Sequence, residues 1–425
     1  MDKKKLILWS MYDFANSIVL IVFFLYYSQW LVVEKGVSDF WFNITFVGSS
    51  ILFLLTAPVV GGITDKLKVR LTGLRVTTFF SVVFFGLTGY IAVFYPDHYL
   101  WSVVTFTLAT YFYLFCFNFY NPMLEEVAEP EQRGFASGWG QLGNGLGQIF
   151  GLLVTLPLAT GAIILVGESQ RAQALLPAAF LFLLFALPLL LFFEEKQKRQ
   201  AVKINIVSEY KNVLRSAREL VKAPGLGRFF LAYFFFNDAV ITASNNYPIY
   251  LQKVFGVNDQ VKSFILIGIL VASVIGAPLS GWISDRFGHK RTLLWILGGW
   301  VVIFPAFALI ASLYWFIVLS VIMGVWFGAI WTVTRAALMQ LTPPAMLNRS
   351  FAYYTLMERF ATLIGPLSWS LIIAYWQPAV GGGNYRLAVA VMGIFVLLGL
   401  IIARKLPKQL NSHIPARVGH SVSVN

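Results

Sequence analysis

Charge is what this chain has least of. Only 12% of its 425 residues are Asp, Glu, Lys or Arg, about half the share typical of a soluble domain. That shortage excludes a water-soluble globule of this length. Cysteine is nearly absent too, and the single Cys116 excludes an intrachain disulfide. Histidine is scarce: His98, His289, His413 and His420 form no pair at metal-ligand spacing. No nucleophile elbow and no phosphate-binding loop is present. An enzyme is therefore not expected, nor a bound cofactor or metal.

Apolar residues are what the chain has instead: 58% are hydrophobic and 16% aromatic. They fall in runs of about 20 residues, the length that crosses a bilayer core as a helix. Only helices and closed barrels satisfy their backbone in lipid, and runs without alternation select helices. Twelve spans are predicted, at roughly 6–33, 42–64, 73–95, 99–121, 135–160, 174–193, 228–251, 262–284, 291–312, 314–338, 350–374 and 385–404.

The few charges are placed one-sidedly. The net charge is +13, with Lys3, Lys4 and Lys5 before the first span and Lys66, Lys68, Arg70 and Arg75 after the second. Segment 196–222 is rich in Lys and Arg, and Arg286, Lys290 and Arg291 follow span 8. Alternate loops carry only Lys35, Arg171, Lys253, Lys262 and Arg386. The positive-inside rule places both termini and the central loop in the cytoplasm, where basic residues face anionic lipid rather than nucleic acid. Lys3–Lys5 before an apolar run is similar to the start of a signal peptide. The polar Tyr12-Asp13-Phe14-Ala15-Asn16-Ser17 interrupts that run, which then continues, so it is read as a retained first helix.

Two motifs recur at half the chain length. Gly61-Gly62-Ile63-Thr64-Asp65-Lys66 closes span 2, and Gly281-Trp282-Ile283-Ser284-Asp285-Arg286 closes span 8, 220 residues on. Arg133-Gly134 leads into span 5 and Arg349-Ser350 into span 11, 216 residues apart. The prediction is an all-α membrane protein of two pseudo-symmetric six-helix bundles, 1–194 and 228–404. A linker, 195–227, joins them, and a polar tail, 405–425, is expected to be disordered. In the linker, Ile206, Val207, Tyr210, Val213 and Leu214 recur at helical spacing opposite Lys211, Arg215, Arg218 and Lys222. This predicts a basic amphipathic helix on the membrane surface.

The repeated carboxylates can cap neighbouring helices, which glycines one turn earlier allow to approach. Asp65 is expected to meet Arg349, and Asp285 to meet Arg133. With Gly61, Lys66, Gly281 and Arg286 they would form a cytoplasmic latch between the halves; ordinary loop charge is the alternative. Within the spans, ionisable groups are costly and face a cavity or a partner. Asp13, Asp238, Arg335, Glu358 and Arg359, with Tyr12, Asn16, Asn118, Tyr120, Asn121 and Asn237, are the candidates for substrate binding and coupling. Arg335 can pair with Asp238 or bind a substrate carboxylate; fixed structural ion pairs are the alternative for each charge. Gly143, Gly147 and Gly151, and Gly268, Ala272 and Gly276, form smooth helix faces. They are expected to serve sliding of the halves at helices 2, 5, 8 and 11. Pro58, Pro278 and Pro366 are expected to kink their spans.

The whole chain resembles the major facilitator superfamily. Within it, Tyr12-Asp13-Phe14-Ala15-Asn16-Ser17, Phe119-Tyr120-Asn121-Pro122, Arg133-Gly134, Phe236-Asn237-Asp238, Thr334-Arg335 and Gly365-Pro366 follow in an order similar to the vacuole-effluxer-like family. That family includes fungal vacuolar amino-acid effluxers and bacterial relatives. The chain departs from its pattern at Ile18-Val19 and at Glu358-Arg359. The resemblance implies a secondary transporter working by alternating access on a small polar organic solute, amino acids first. Proton coupling through Asp13, Asp238 or Glu358 is expected, in a monomer of a bacterial inner membrane. A larger charged metabolite, such as a metal chelate or a drug-like cation, is the alternative cargo. A non-transporting receptor or scaffold is a further alternative.

Overall fold

The computed structural model describes residues 2–67, 70–128, 133–166, 171–195, 211, 215, 218, 225–342, 350, 353–354, 357–358, 362–376 and 382–407. Every regular element among them is helical. The first half holds α1 (Lys3–Glu34), α2 (Asp39–Leu67), α3 (Arg70–Phe94), α4 (Tyr99–Tyr120), α5 (Arg133–Ala159) and α6 (Leu175–Phe192). The second holds α7 (Leu226–Phe255), α8 (Asp259–Phe287), α9 (His289–Leu309), α10 (Leu313–Leu341), α11 (Ile364–Tyr375) and α12 (Gly383–Arg404).

Local chemistry sets the boundaries. Asp2 caps α1 by accepting from the Lys5 N–H at 3.2 Å, and Asn258 caps α8 by accepting from the Val261 N–H at 2.9 Å. Gly256 ends α7 in the left-handed region at φ 65°, where a side chain would be strained. The last part of α1 is π-helical over Phe23–Tyr27 and again over Trp30–Glu34. Each wider turn shifts the faces that follow it, a device found often at functional sites.

Eleven of these helices are long and apolar enough to cross a membrane, and α11 is shorter. The span predicted over 350–374 is divided. Ser350, Tyr353, Tyr354, Met357 and Glu358 are helical, Leu363 is not, and α11 begins afresh at Ile364. Pro366 lies in the first turn of α11, where a missing N–H costs nothing. It therefore starts a helix rather than kinking one. Pro278 lies inside α8 as expected.

Within the first half α1 packs on α5 and α6, α3 on α4 and α6, and α2 on α4. The second half repeats each pair: α7 packs on α11 and α12, α9 on α10 and α12, and α8 on α10. Between the halves the principal contacts are α2 with α11 and α5 with α8, the two pairs that this symmetry exchanges. The smooth glycine faces do not serve that interface, contrary to expectation. A Cβ on Gly143 or Gly147 would strike the Ser10 or Phe14 carbonyl of α1, and one on Gly276 would strike the Val325 backbone of α10. Both faces bring helices together inside one half. Small residues are needed where backbones touch, and here the tightest crossings are internal.

Helix alternation puts both chain termini at one end of the bundle. There Lys5 donates to the Glu194 carbonyl at 2.6 Å and pairs with Glu126 at 3.7 Å, and Arg228 donates to the Lys405 carbonyl at 3.4 Å. Of the predicted amphipathic linker helix, Lys211, Arg215 and Arg218 are described; all three are helical and exposed. The rest of that helix, and the tail beyond 407, lie outside the described residues.

Candidate functional site

In the first half the site is built on α1 against α4 and α5. Trp9 and Tyr120 stack with ring centroids 4.6 Å apart. The Trp9 indole N–H donates to the Tyr120 carbonyl at 3.3 Å, and the Tyr120 hydroxyl donates to the Trp9 carbonyl at 2.9 Å. This reciprocal clasp fixes α1 on α4 one turn from Asp13. The Asp13 Oδ1 accepts from the Asn16 amide at 3.4 Å and the Asn144 amide of α5 at 3.3 Å, and Gln148 donates to Asn144 at 2.7 Å. Asn16 in turn accepts from the Tyr113 hydroxyl. Tyr12 packs into this clasp. It is fully buried, stacked on Tyr120 at 5.1 Å, with its hydroxyl 2.6 Å from Thr78 Oγ1. Asn118 is half-buried, and Asn121 is exposed at the start of a 3-10 turn after α4.

In the second half α7 and α10 carry the matching wall. Asn237 accepts from the Trp331 indole N–H at 3.1 Å, and its own amide N–H2 is buried with no partner. Arg335 lies one turn beyond Trp331 on the same face of α10. Among the described residues Arg335 makes no hydrogen bond and no ion pair, and the same is true of Glu358. Both are half-buried. Between them lies a stacked pair, Tyr233 and Tyr354, with centroids 4.3 Å apart; the Tyr354 hydroxyl is 3.0 Å from that of Thr334, next to Arg335 in the chain, and Glu358 follows Tyr354 by one helical turn.

The expected alternative of an Arg335–Asp238 pair is not present. Asp238 is fully buried and its Oδ2 accepts from the Gly365 N–H at 2.7 Å. That N–H belongs to the first turn of α11, whose unpaired amides and positive dipole end suit a carboxylate. Gly365 is required there, because a Cβ would meet both Asp238 and Thr242. Asp238 is thus a cap from α7 to α11, and Arg335 keeps its donors free.

Among the described residues, hydrogen bonds join the two halves at one end of the bundle. At the end opposite the termini, Arg171 donates to Asp259 at 2.5 Å and to Glu34 at 3.1 Å, and Lys262 donates to Asp259 and to Gln29, each at 2.7 Å. Tyr26 and Ser263 are 3.2 Å apart, and Tyr385 donates to Asp39 at 2.8 Å. Asn43 and Asn246 bond reciprocally at 3.0 and 2.9 Å, and Ser50 meets Thr362 at 2.6 Å nearer mid-depth. These hydrogen bonds between the halves all lie in the far part of the bundle. Lys262, placed by the sequence in a loop, is fully buried in the first turn of α8. Its partner Asp259 lies one turn earlier in the chain, but Gln29 is remote and only the fold brings it near. Trp9, Asn144, Gln148, Tyr233, Trp331 and Tyr354 were also missed; polar Asn144 and Gln148 amid the glycines of α5 were the available signal.

The predicted latch belongs to the opposite end. Gly61, Asp65 and Lys66 form the last turns of α2 and Arg133 starts α5, but their side chains lie outside the description, as do Arg349 and Arg359 altogether. Gly281, Asp285 and Arg286 are in the last turns of α8, where Asp285 is exposed and Arg286 lies 5.5 Å over the Trp282 ring.

The sequence model of the Major Facilitator Superfamily matches residues 8–267 and 229–421. The chain is 25% identical over 430 residues to the MFS-type transporter YxiO of Bacillus subtilis (strain 168), covering 96% of this chain and 95% of that one. A melibiose permease of Enterobacter cloacae is 27% identical over 151 residues, covering 34% and 33% of the two chains. Among solved structures, a bacterial homologue of the lysosomal transporter Spinster, inward-facing and unoccupied, superposes with a TM-score of 0.71 at 14% identity, covering 97% of this chain and 99% of that one. The nucleoside transporter NupG, as a point mutant, gives 0.72 at 11% identity, covering 94% and 99%.

Proposed function

The chain belongs to the Major Facilitator Superfamily, and from that premise we propose that it carries a small zwitterionic solute, an amino acid first, by proton-coupled alternating access. It is a multi-pass membrane transporter of that superfamily. The observation behind the solute class is the unpaired pair of opposite charges on opposite halves: Asp13 on α1 and Arg335 on α10. A charge within a membrane span is costly unless it meets a partner or a ligand. An ammonium group suits Asp13, and a carboxylate suits the forked donors of Arg335.

Such a solute bridges the halves and draws them together on the side of mid-depth nearer the chain termini. Residues 1–194 then rock against 228–404. The far network is the closed gate of this state, and the repeated Asp65 and Asp285 motifs latch the other end in the alternate state. Asp13 and Glu358 are the favoured proton carriers, because Asp238 is already committed to α11. The basic end faces the cytoplasm of a bacterial inner membrane, and the working unit is a monomer. The ordered fragments that resemble the vacuole-effluxer-like family support an amino acid as cargo.

The test is a thermal-shift screen of purified protein against amino acids, dipeptides, organic acids and metal chelates at pH 5.5 and 7.5. A ligand that binds only the folded state raises its melting temperature by mass action. Amino-acid shifts abolished by Asp13→Asn and by Arg335→Ala are expected. A shift from a larger charged metabolite alone overturns the solute class and leaves the fold intact.

A further inference from the structure

We propose that the solute is a basic amino acid, a zwitterion with a second cationic group, and that Glu358 selects that extra charge. The inference rests on the central site just described and goes one step further into its chemistry.

The described charges of that site do not balance for a neutral amino acid. Asp13, Arg335 and Glu358 come from three different helical segments, and none is in an ion pair with another described residue. Donors gather on the second half. Arg335 offers a whole guanidinium, and the Asn237 amide, next to it across Trp331, is 1% exposed with its N–H2 unpartnered. A buried donor without an acceptor is costly, and a ligand carboxylate would satisfy both groups. Acceptors lie on either side: Asp13 takes both of its carboxamide donors on Oδ1, which leaves Oδ2 for a ligand.

A neutral amino acid consumes Asp13 and Arg335 and leaves Glu358 an acid without a counter-charge among the described residues. Glu358 lies one helical turn beyond Tyr354, whose hydroxyl is 3.0 Å from that of Thr334, the neighbour of Arg335 in the chain. A lysine-like or arginine-like side chain supplies the missing cation, with the apolar stem running past the two tyrosine rings. Specificity then comes from a buried charge left unmatched by the wrong solute, which discriminates more sharply than pocket size does.

The experiment is equilibrium binding of lysine, arginine, leucine and glutamate to the purified full-length protein and to Glu358→Gln and Glu358→Asp. The wild-type protein is expected to bind lysine or arginine at least roughly tenfold more tightly than leucine, a difference of about 1.4 kcal/mol. Glu358→Gln is expected to remove that preference by weakening the basic solutes alone, and Glu358→Asp, which keeps the charge, to retain most of it. Equal weakening of leucine and lysine by Glu358→Gln, or a wild-type preference for leucine, overturns the inference while leaving the amino-acid reading in place. Binding of no amino acid by folded wild-type protein refutes that reading, and this inference with it.

Discussion

At the scale of residues, an arginine in a membrane span with no partner among the described residues is the strongest single pointer to the site. Arg335 and Asp13 were legible in the sequence, because a charge inside an apolar run needs an explanation. Tyr12 was legible as unusual but not as packed, since only the fold brings Thr78 and Cys116 against it. Lys262 was misread because a lone lysine at the edge of an apolar run looks like a loop charge until it is seen to donate, with Arg171, to Asp259 one turn before it. Glycine illustrates the same limit. Gly147 and Gly86 look alike in sequence, yet a Cβ on Gly147 would enter the Phe14 backbone while one on Gly86 meets nothing within 4 Å. Gly147→Ala is expected to destabilise the protein by about 1–3 kcal/mol through overpacking. Gly86→Ala should be neutral or stabilising by up to about 1 kcal/mol, from helix propensity. Unfolding in mixed detergent measures both.

At the scale of elements, the sequence located all twelve helices, with boundaries close to those observed. It missed the break before α11, because apolar periodicity continues across residues whose hydrogen bonding changes. The break is stabilised from outside the helix, by Asp238. Asp238→Ala leaves a buried N–H unsatisfied, at a cost of about 1–3 kcal/mol. Faster hydrogen exchange at Gly365 is the expected sign. Asp238→Asn retains an acceptor and should keep α11 protected, with the pH dependence of uptake preserved. Loss of that pH dependence in Asp238→Asn, with α11 still protected, would return Asp238 to the coupling step.

At the scale of the whole molecule, two-fold repetition was legible from the duplicated motifs. Which residues join the halves was not, because such contacts depend on pairs such as Asn43 with Asn246, drawn from opposite halves. Asp259→Asn weakens the hold on Arg171 and Lys262 together, so it is expected to favour opening at the far end. A single cysteine introduced beside Asn43 should then react several-fold faster with a membrane-impermeant thiol reagent than it does in the otherwise wild-type protein. Unchanged labelling would show that the uncharged contacts suffice to hold the gate. At the other end, Asp65→Asn or Asp285→Asn should slow turnover while leaving expression near normal, measured by uptake in proteoliposomes.

The far network also bears on how the chain is assembled. Arg171 already has Glu34 within its own half, and Lys262 already has Asp259 within the other. As the polypeptide emerges from the ribosome, Arg171 can therefore be neutralised within the first half before the second is made, and Lys262 within the second. Docking adds the Arg171–Asp259 bond between two units whose Arg171 and Lys262 are each already paired within their own half. The two halves, produced as separate polypeptides in one cell, have what they need to insert independently and find each other in the bilayer.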